Sequence, residues 1–114
     1  MDVNVEHRDG VIILKLGGRI VGIAGGELRQ VIEEQLQDAS ESPKFLFDFA
    51  DVSRMDSSGL GTLIGLHVSV ARKGGRIGVI NVSNNINNLL VIGRLITIFE
   101  HFDSEADAIA ALQG

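Results

Sequence analysis

Met55-Asp56-Ser57-Ser58-Gly59-Leu60-Gly61 decides how this chain folds, because it joins an apolar run on one side to a long amphipathic segment on the other. Upstream, Phe45-Leu46-Phe47-Asp48-Phe49 has the length and aromatic content of a buried strand. A loop of mixed polarity, Ala50 to Met55, leads to three residues that can each accept a bond from the free N–H groups of a first helical turn: Asp56, Ser57 and Ser58. The helix they open is expected to run to about Lys73, with Leu60, Leu63, Ile64, Val68 and Ala71 on its inner face. Two hydroxyls therefore stand where a strand hands over to a helix, at the end whose N–H groups and macrodipole favour negative charge. That is a place for a phosphate, and equally a place where Asp and Ser act as plain caps.

Working outward, Val3 to His7 and Val11 to Leu16 flank Arg8-Asp9-Gly10, and an Asp-Gly pair between alternating runs predicts an antiparallel hairpin. The glycine-rich stretch Gly17 to Gly26 has neither a Gly-Lys-Ser/Thr ending nor a G-x-G-x-x-G register, so it reads as a flexible strand-to-helix connection, not a nucleotide loop. From Glu27, Leu28, Val31, Ile32 and Leu36 mark a helical face, ended by Ser40 to Pro43. Past Gly74-Gly75, Ile77 to Val82 reads as a buried strand. Ser83-Asn84-Asn85 caps a short helix with Ile86, Leu89 and Leu90 inward; amide recognition of a ligand by this Asn run is the alternative to a cap and a solvated face. Thr97 to Phe102 is expected as a last strand and Ser104 to Leu112 as a terminal helix. Strands separated by such helices pair in parallel through crossovers. The expected α/β fold is one small mixed sheet, an antiparallel opening hairpin followed by mainly parallel strands, covered by about four helices.

The 114 residues form a single domain, 1–114, able to bury roughly two-thirds of the surface of the unfolded chain. With 45% hydrophobic and 22% charged residues the composition is that of an ordinary globular protein. A net charge of −5 with scattered Lys and Arg argues against nucleic acid as a partner. The absence of Cys excludes disulfides and thiolate metal sites. The acidic N-terminus lacks an apolar signal region and no apolar run reaches membrane-spanning length, so a cytoplasmic protein without membrane insertion is expected.

Phe47-Asp48-Phe49 to Asp51-Val52, the Met55 to Gly61 motif, Gly74-Gly75, and Leu89-Leu90 to Leu95 before an Ala/Leu-rich terminal helix together resemble the bacterial anti-sigma factor antagonists, soluble members of the STAS domain family. The resemblance spans nearly the whole chain. It implies a protein that binds an anti-sigma factor that is also a serine kinase, and so frees a sigma factor. It also implies phosphorylation of the first hydroxyl residue after the motif's Asp, here Ser57, reversed by a serine phosphatase. A phosphate at Ser57 would add about −1.5 to −2 charges beside Asp56 and weaken docking. The expected partner-binding residues are Asp56, Ser57, Ser58 and Gly59, with Leu66 and Val70 outside the buried stripe beside the small Gly61, Gly65 and Ser69. A monomer or weak dimer is expected. One position departs from the pattern: where better-known antagonists carry an Asp that helps form the kinase-facing site, Gly18-Arg19-Ile20-Val21 places Val21.

Two other classes share some of these features. An enzyme with Ser57 as nucleophile needs a base in reach. His67 lies ten residues along the same helix, about 15 Å away, and His7 and His101 sit in or beside strands with no motif around them. No G-x-S-x-G elbow is present. Asp48, Asp51 and Asp56 lack the spacing of a hard-metal site and read as solvated loop carboxylates. No catalytic residue, cofactor or metal ligand is therefore assigned. The other class is an unphosphorylated STAS binding subunit of a membrane transport or signalling assembly, which would share fold and motif and differ in its partner.

Overall fold

Asp9 and Gly10 take φ of 52° and 79°, the two positive angles of a type I′ turn, whose twist matches that of the strands it joins. They pair β1 (Asp2–Arg8) antiparallel with β2 (Val11–Ile20). In the computed structural model, which describes residues 1–39 and 41–113, the chain then alternates helices and strands: α1 (Ile23–Asp38), β3 (Lys44–Met55), α2 (Ser57–Arg72), β4 (Arg76–Ile80), α3 (Asn84–Ile92), β5 (Glu100–His101) and α4 (Glu105–Leu112). The five strands lie side by side in chain order, and every pair after the first is parallel. The mixed sheet with four helices expected from the sequence is the fold observed.

Alternation along the central strands builds two cores. Ile12, Leu14 and Leu16 of β2 and Phe45, Phe47 and Phe49 of β3 pack with buried residues of α1, α2 and α3. The three Phe rings stack in a row, centroids 6.3 and 6.1 Å apart, and each wholly buried ring contributes on the order of 2–3 kcal/mol. On the opposite face Val11, Ile13, Leu46 and Ile80 are covered by Ala108, Ile109 and Leu112 of α4. Ser104 caps that helix, accepting from the Asp107 N–H at 3.1 Å. Arg76 joins β4, β5 and α4, donating to both oxygens of Glu100 and, at 3.0 Å, to the Ala111 carbonyl.

Several boundaries differ from the sequence reading. β2 continues to Ile20 and β3 to Met55, because Gly17 and Gly18 pair with Asp51 and Val52 through register shifts instead of forming a connection. α1 starts at Ile23, ahead of Glu27, so Gly25 and Gly26 are helical. Of the helix-ending stretch Ser40 to Pro43, Ser40 lies outside the described residues. The last strand shrinks to Glu100–His101 because Leu95 to Phe99 fold into turns that bring both Leu95 and Phe99 into the core, their carbonyl and N–H meeting at 2.9 Å.

Candidate functional site

The end of β3 is held by three hydrogen bonds before α2 begins. The Met55 N–H donates to Asn85 Oδ1 at 2.8 Å, and Asn85 Nδ2 donates back to the Met55 carbonyl at 3.4 Å. The Asp56 N–H donates to the Ile20 carbonyl at 3.2 Å. Asp56 is then the N-cap of α2, in extended conformation. Its Oδ1 accepts from the Ser58 N–H at 2.9 Å and from the Ser58 hydroxyl, and its Oδ2 accepts from the Gly22 N–H at 3.0 Å. One carboxylate thus caps α2 and ties it to the turn that starts α1. The Ser58 hydroxyl, and after it the Gly22 N–H, hold the Asp56 carboxyl below its ordinary value, because both bonds favour the charged form.

The two serines of the motif have different surroundings. Ser58 is half-buried, and a Cβ on Gly25 would stand 2.7 Å from its hydroxyl oxygen and 2.8 Å from its carbonyl carbon. Only a glycine lets α1 approach α2 this closely. Thr62 closes the contact by donating to the Gly25 carbonyl at 2.8 Å. Ser57, the first residue of α2, is exposed, and its hydroxyl makes no hydrogen bond among the described residues. It stands at the carboxyl end of β3, where the positive end of the α2 dipole favours an added negative charge.

Other sequence-derived candidates are placed differently. Gly59 is buried, and a Cβ there would meet Met55 Cγ at 2.6 Å, so it seats the helix on the strand instead of facing outward. Leu66 and Val70, expected outside the buried stripe, are 3% and 2% exposed; Ile64 and Val68, expected inside, are 38% and 43% exposed. The helix is apolar around most of its circumference, so periodicity fits two stripes, and contact with the Phe-lined sheet selects Leu60, Leu63, Leu66 and Val70. Gly61 and Gly65 are exposed and, with Gly25, Ser58 and Ser69, line an open groove of about 520 Å³ between α1 and α2.

None of the histidines contacts Ser57. His7 Nε2 lies 3.0 Å from Gln35 Oε1, His101 Nε2 lies 2.9 Å from the Ile96 carbonyl, and His67 sits nearly three turns along α2. Asp48 Oδ1 is engaged by the Ala50 N–H and the Asn81 amide, and among the described residues no three His, Asp or Glu side chains come together as metal ligands. Nor is any described helix long and apolar enough to cross a membrane. The sequence reading missed the tie from Gly22 to Asp56 and the clamp of Asn85 on Met55. Asn85 lay within the Asn run read as a cap, and nothing local distinguishes it from Asn84.

Comparison with known proteins places these features in context. The family model described as STAS domain matches residues 2–108. An anti-sigma F factor antagonist of Paenibacillus polymyxa is 27% identical over 99% of this chain and 96% of its own length. Among solved structures, the unphosphorylated form of the anti-sigma factor antagonist SpoIIAA superposes with a TM-score of 0.84 at 22% identity, covering 99% of this chain and 97% of that one. The phosphorylated form of the Bacillus cell fate determinant SpoIIAA superposes with a TM-score of 0.77 at 22% identity, over 96% of this chain and 98% of that one.

Proposed function

The chain belongs to the STAS domain family, and from that premise we propose that it is an anti-sigma factor antagonist, binding a kinase-type anti-sigma factor in the cytoplasm, releasing the sigma factor, and switched off by phosphorylation of Ser57. The observation that carries the reading is the division of labour between the two serines. Ser58 is bound to Asp56 and pressed against Gly25, whereas the Ser57 hydroxyl is exposed and makes no hydrogen bond among the described residues. A kinase can reach Ser57 without unmaking the cap. A serine phosphatase can reach the product equally well.

The consequence of the modification follows from its position. At the first residue of α2 a phosphate sits at the favourable end of the helix dipole, so the fold should be unharmed or favoured by a few tenths to about 1 kcal/mol. At an interface the same charge, next to the Asp56 carboxylate, must be desolvated. That should cost on the order of 2 kcal/mol or more of partner affinity, at least tenfold in dissociation constant. The chain itself performs no catalysis in this scheme, because no histidine contacts Ser57 and the neighbouring Asp56 carboxylate is engaged by Ser58 and Gly22.

Titration calorimetry against the anti-sigma factor, with thermal melts alongside, tests the proposal. Ser57→Asp should bind at least severalfold more weakly at unchanged melting temperature, and Ser57→Ala should bind constitutively. Ser58→Ala should act through stability, by about 1 kcal/mol, with a smaller effect on binding. Wild-type affinity in Ser57→Asp, or weak binding that only tracks a lowered melting temperature, would overturn the switch.

A further inference from the structure

The parallel register of β2 and β3 sets Arg19 directly beside Arg54 at the carboxyl end of the sheet. Both side chains are exposed, and neither has a hydrogen bond or ion pair among the described residues. The chain carries fifteen acidic against ten basic residues, and four of the basic ones are ion-paired. Arg8, Lys15, Arg29 and Arg76 each hold a carboxylate. Two like charges on neighbouring strands repel each other, and among the described residues no carboxylate is ion-paired with either.

Their position joins them to the switch. Arg54 is three residues before Ser57, and Arg19 precedes Ile20, whose carbonyl receives the Asp56 N–H. Past Ile20 the chain runs through the half-buried Val21 and Gly22 to Ile23, which at 85% exposure is the most exposed large apolar side chain among the described residues. Gly22 is bonded to Asp56, so Ile23 is held near the same tip. An apolar anchor beside arginines is the composition of a protein-binding surface. Nucleic acid fits poorly, because two arginines on a chain of net charge −5 cannot offset the repulsion of a phosphate backbone.

We infer that Arg19, Arg54 and Ile23 form the specificity patch of the partner interface and receive an acidic surface of the anti-sigma factor, carboxylates against the guanidinium pair and an apolar pocket over Ile23. The inference rests on the proposed function and adds the chemistry of the partner to it. The position that carries an acid in better-known antagonists is Val21 here, so that carboxylate is missing from the tip and the Arg19–Arg54 pair stands beside its place. Such a pair acts mainly by steering the encounter, and hence on the association rate.

The test uses the intact chain and the purified anti-sigma factor encoded in the same genome, with association rates measured by surface plasmon resonance at about 50 and about 300 mM salt. Wild-type association should slow with salt. Arg19→Ala/Arg54→Ala should associate about tenfold more slowly at low salt and lose most of the salt dependence, at unchanged melting temperature. Arg19→Lys/Arg54→Lys should restore the rate, and Ile23→Ser should speed dissociation. If the double alanine variant binds as fast as wild type or faster while Ser57→Asp loses binding, the patch is refuted and the proposed function stands. If the anti-sigma factor does not bind the wild-type chain, the function falls and the patch with it.

Discussion

Replacing Gly25 by Ala should destabilise the fold, whereas replacing Gly26 by Ala, one residue further along the same helix, should stabilise it. A Cβ at Gly25 would lie 2.7 to 2.8 Å from three atoms of Ser58, two of them in its side chain and one its carbonyl carbon. Ordinary carbon contacts begin near 3.5 Å, and the carbonyl carbon belongs to the first turn of α2, so α1 and α2 must separate by more than half an ångström. Overpacking of this kind costs about 1–3 kcal/mol, offset by up to about 1 kcal/mol from the better helix propensity of Ala. A net loss of about 1–2 kcal/mol is expected. A Cβ at Gly26 has nothing within 4 Å, leaving only a gain of about 0.5–1 kcal/mol. At about 4 °C per kcal/mol for a domain of this size, the two melting temperatures should lie roughly 6–12 °C apart on opposite sides of wild type. Circular dichroism melts and urea titrations with an unchanged slope would measure this. A Gly25→Ala protein as stable as Gly26→Ala would show that the helices are free to part, and that the bridge through Ser58 and Thr62 does not set their distance.

Two further outcomes follow from the hydrogen bonds around Asp56 and Met55. The depressed Asp56 pKa means that the folded chain binds fewer protons than the unfolded one. The stability it adds is therefore present above the ordinary carboxylate value of about 4 and lost as pH falls through the lower folded value. Asp56→Asn should flatten the acid limb of a melting-temperature profile, and an unchanged limb would show that other carboxylates set it. Asn85→Ala should cost about 1–2 kcal/mol in urea unfolding by stripping both backbone bonds from Met55, whereas Asn84→Ala, exposed on the same helix, should stay within about 0.5 kcal/mol of wild type; equal effects would refute the clamp.

Much of the architecture was legible because the signals were local. The Asp9-Gly10 turn, the Phe45 run, the Ser83 and Ser104 caps and the Gly74 stop each follow from a few neighbouring residues, and the parallel sheet follows from their order. What escaped depends on residues distant in sequence. Whether Leu66 or Val68 turns inward is decided by the sheet beneath α2, and no count of apolar positions on that helix distinguishes them. Gly25 read as loop flexibility because its partner, Ser58, lies thirty-three positions away. In the site itself, the motif offered Asp56, Ser57 and Ser58 alike as caps of α2, and the fold makes Asp56 the cap and leaves Ser57 exposed. The tie to Gly22 required a fold in which β2 and β3 end side by side.

The two cores are not completed together. Residues up to the end of α3 suffice to close the side of the sheet that carries Phe45, Phe47 and Phe49, apart from the turn residues Leu95 and Phe99. Val11, Ile13, Leu46 and Ile80 on the reverse side wait for Ala108, Ile109 and Leu112 of α4, which follows all five strands. A chain emerging from the ribosome at about 5–20 residues per second therefore exposes a strip of branched apolar side chains on the strands already made until α4 follows them. Vectorial synthesis makes α4 the step that ends this period of exposure to misassociation, although it lies on the face of the sheet away from α2.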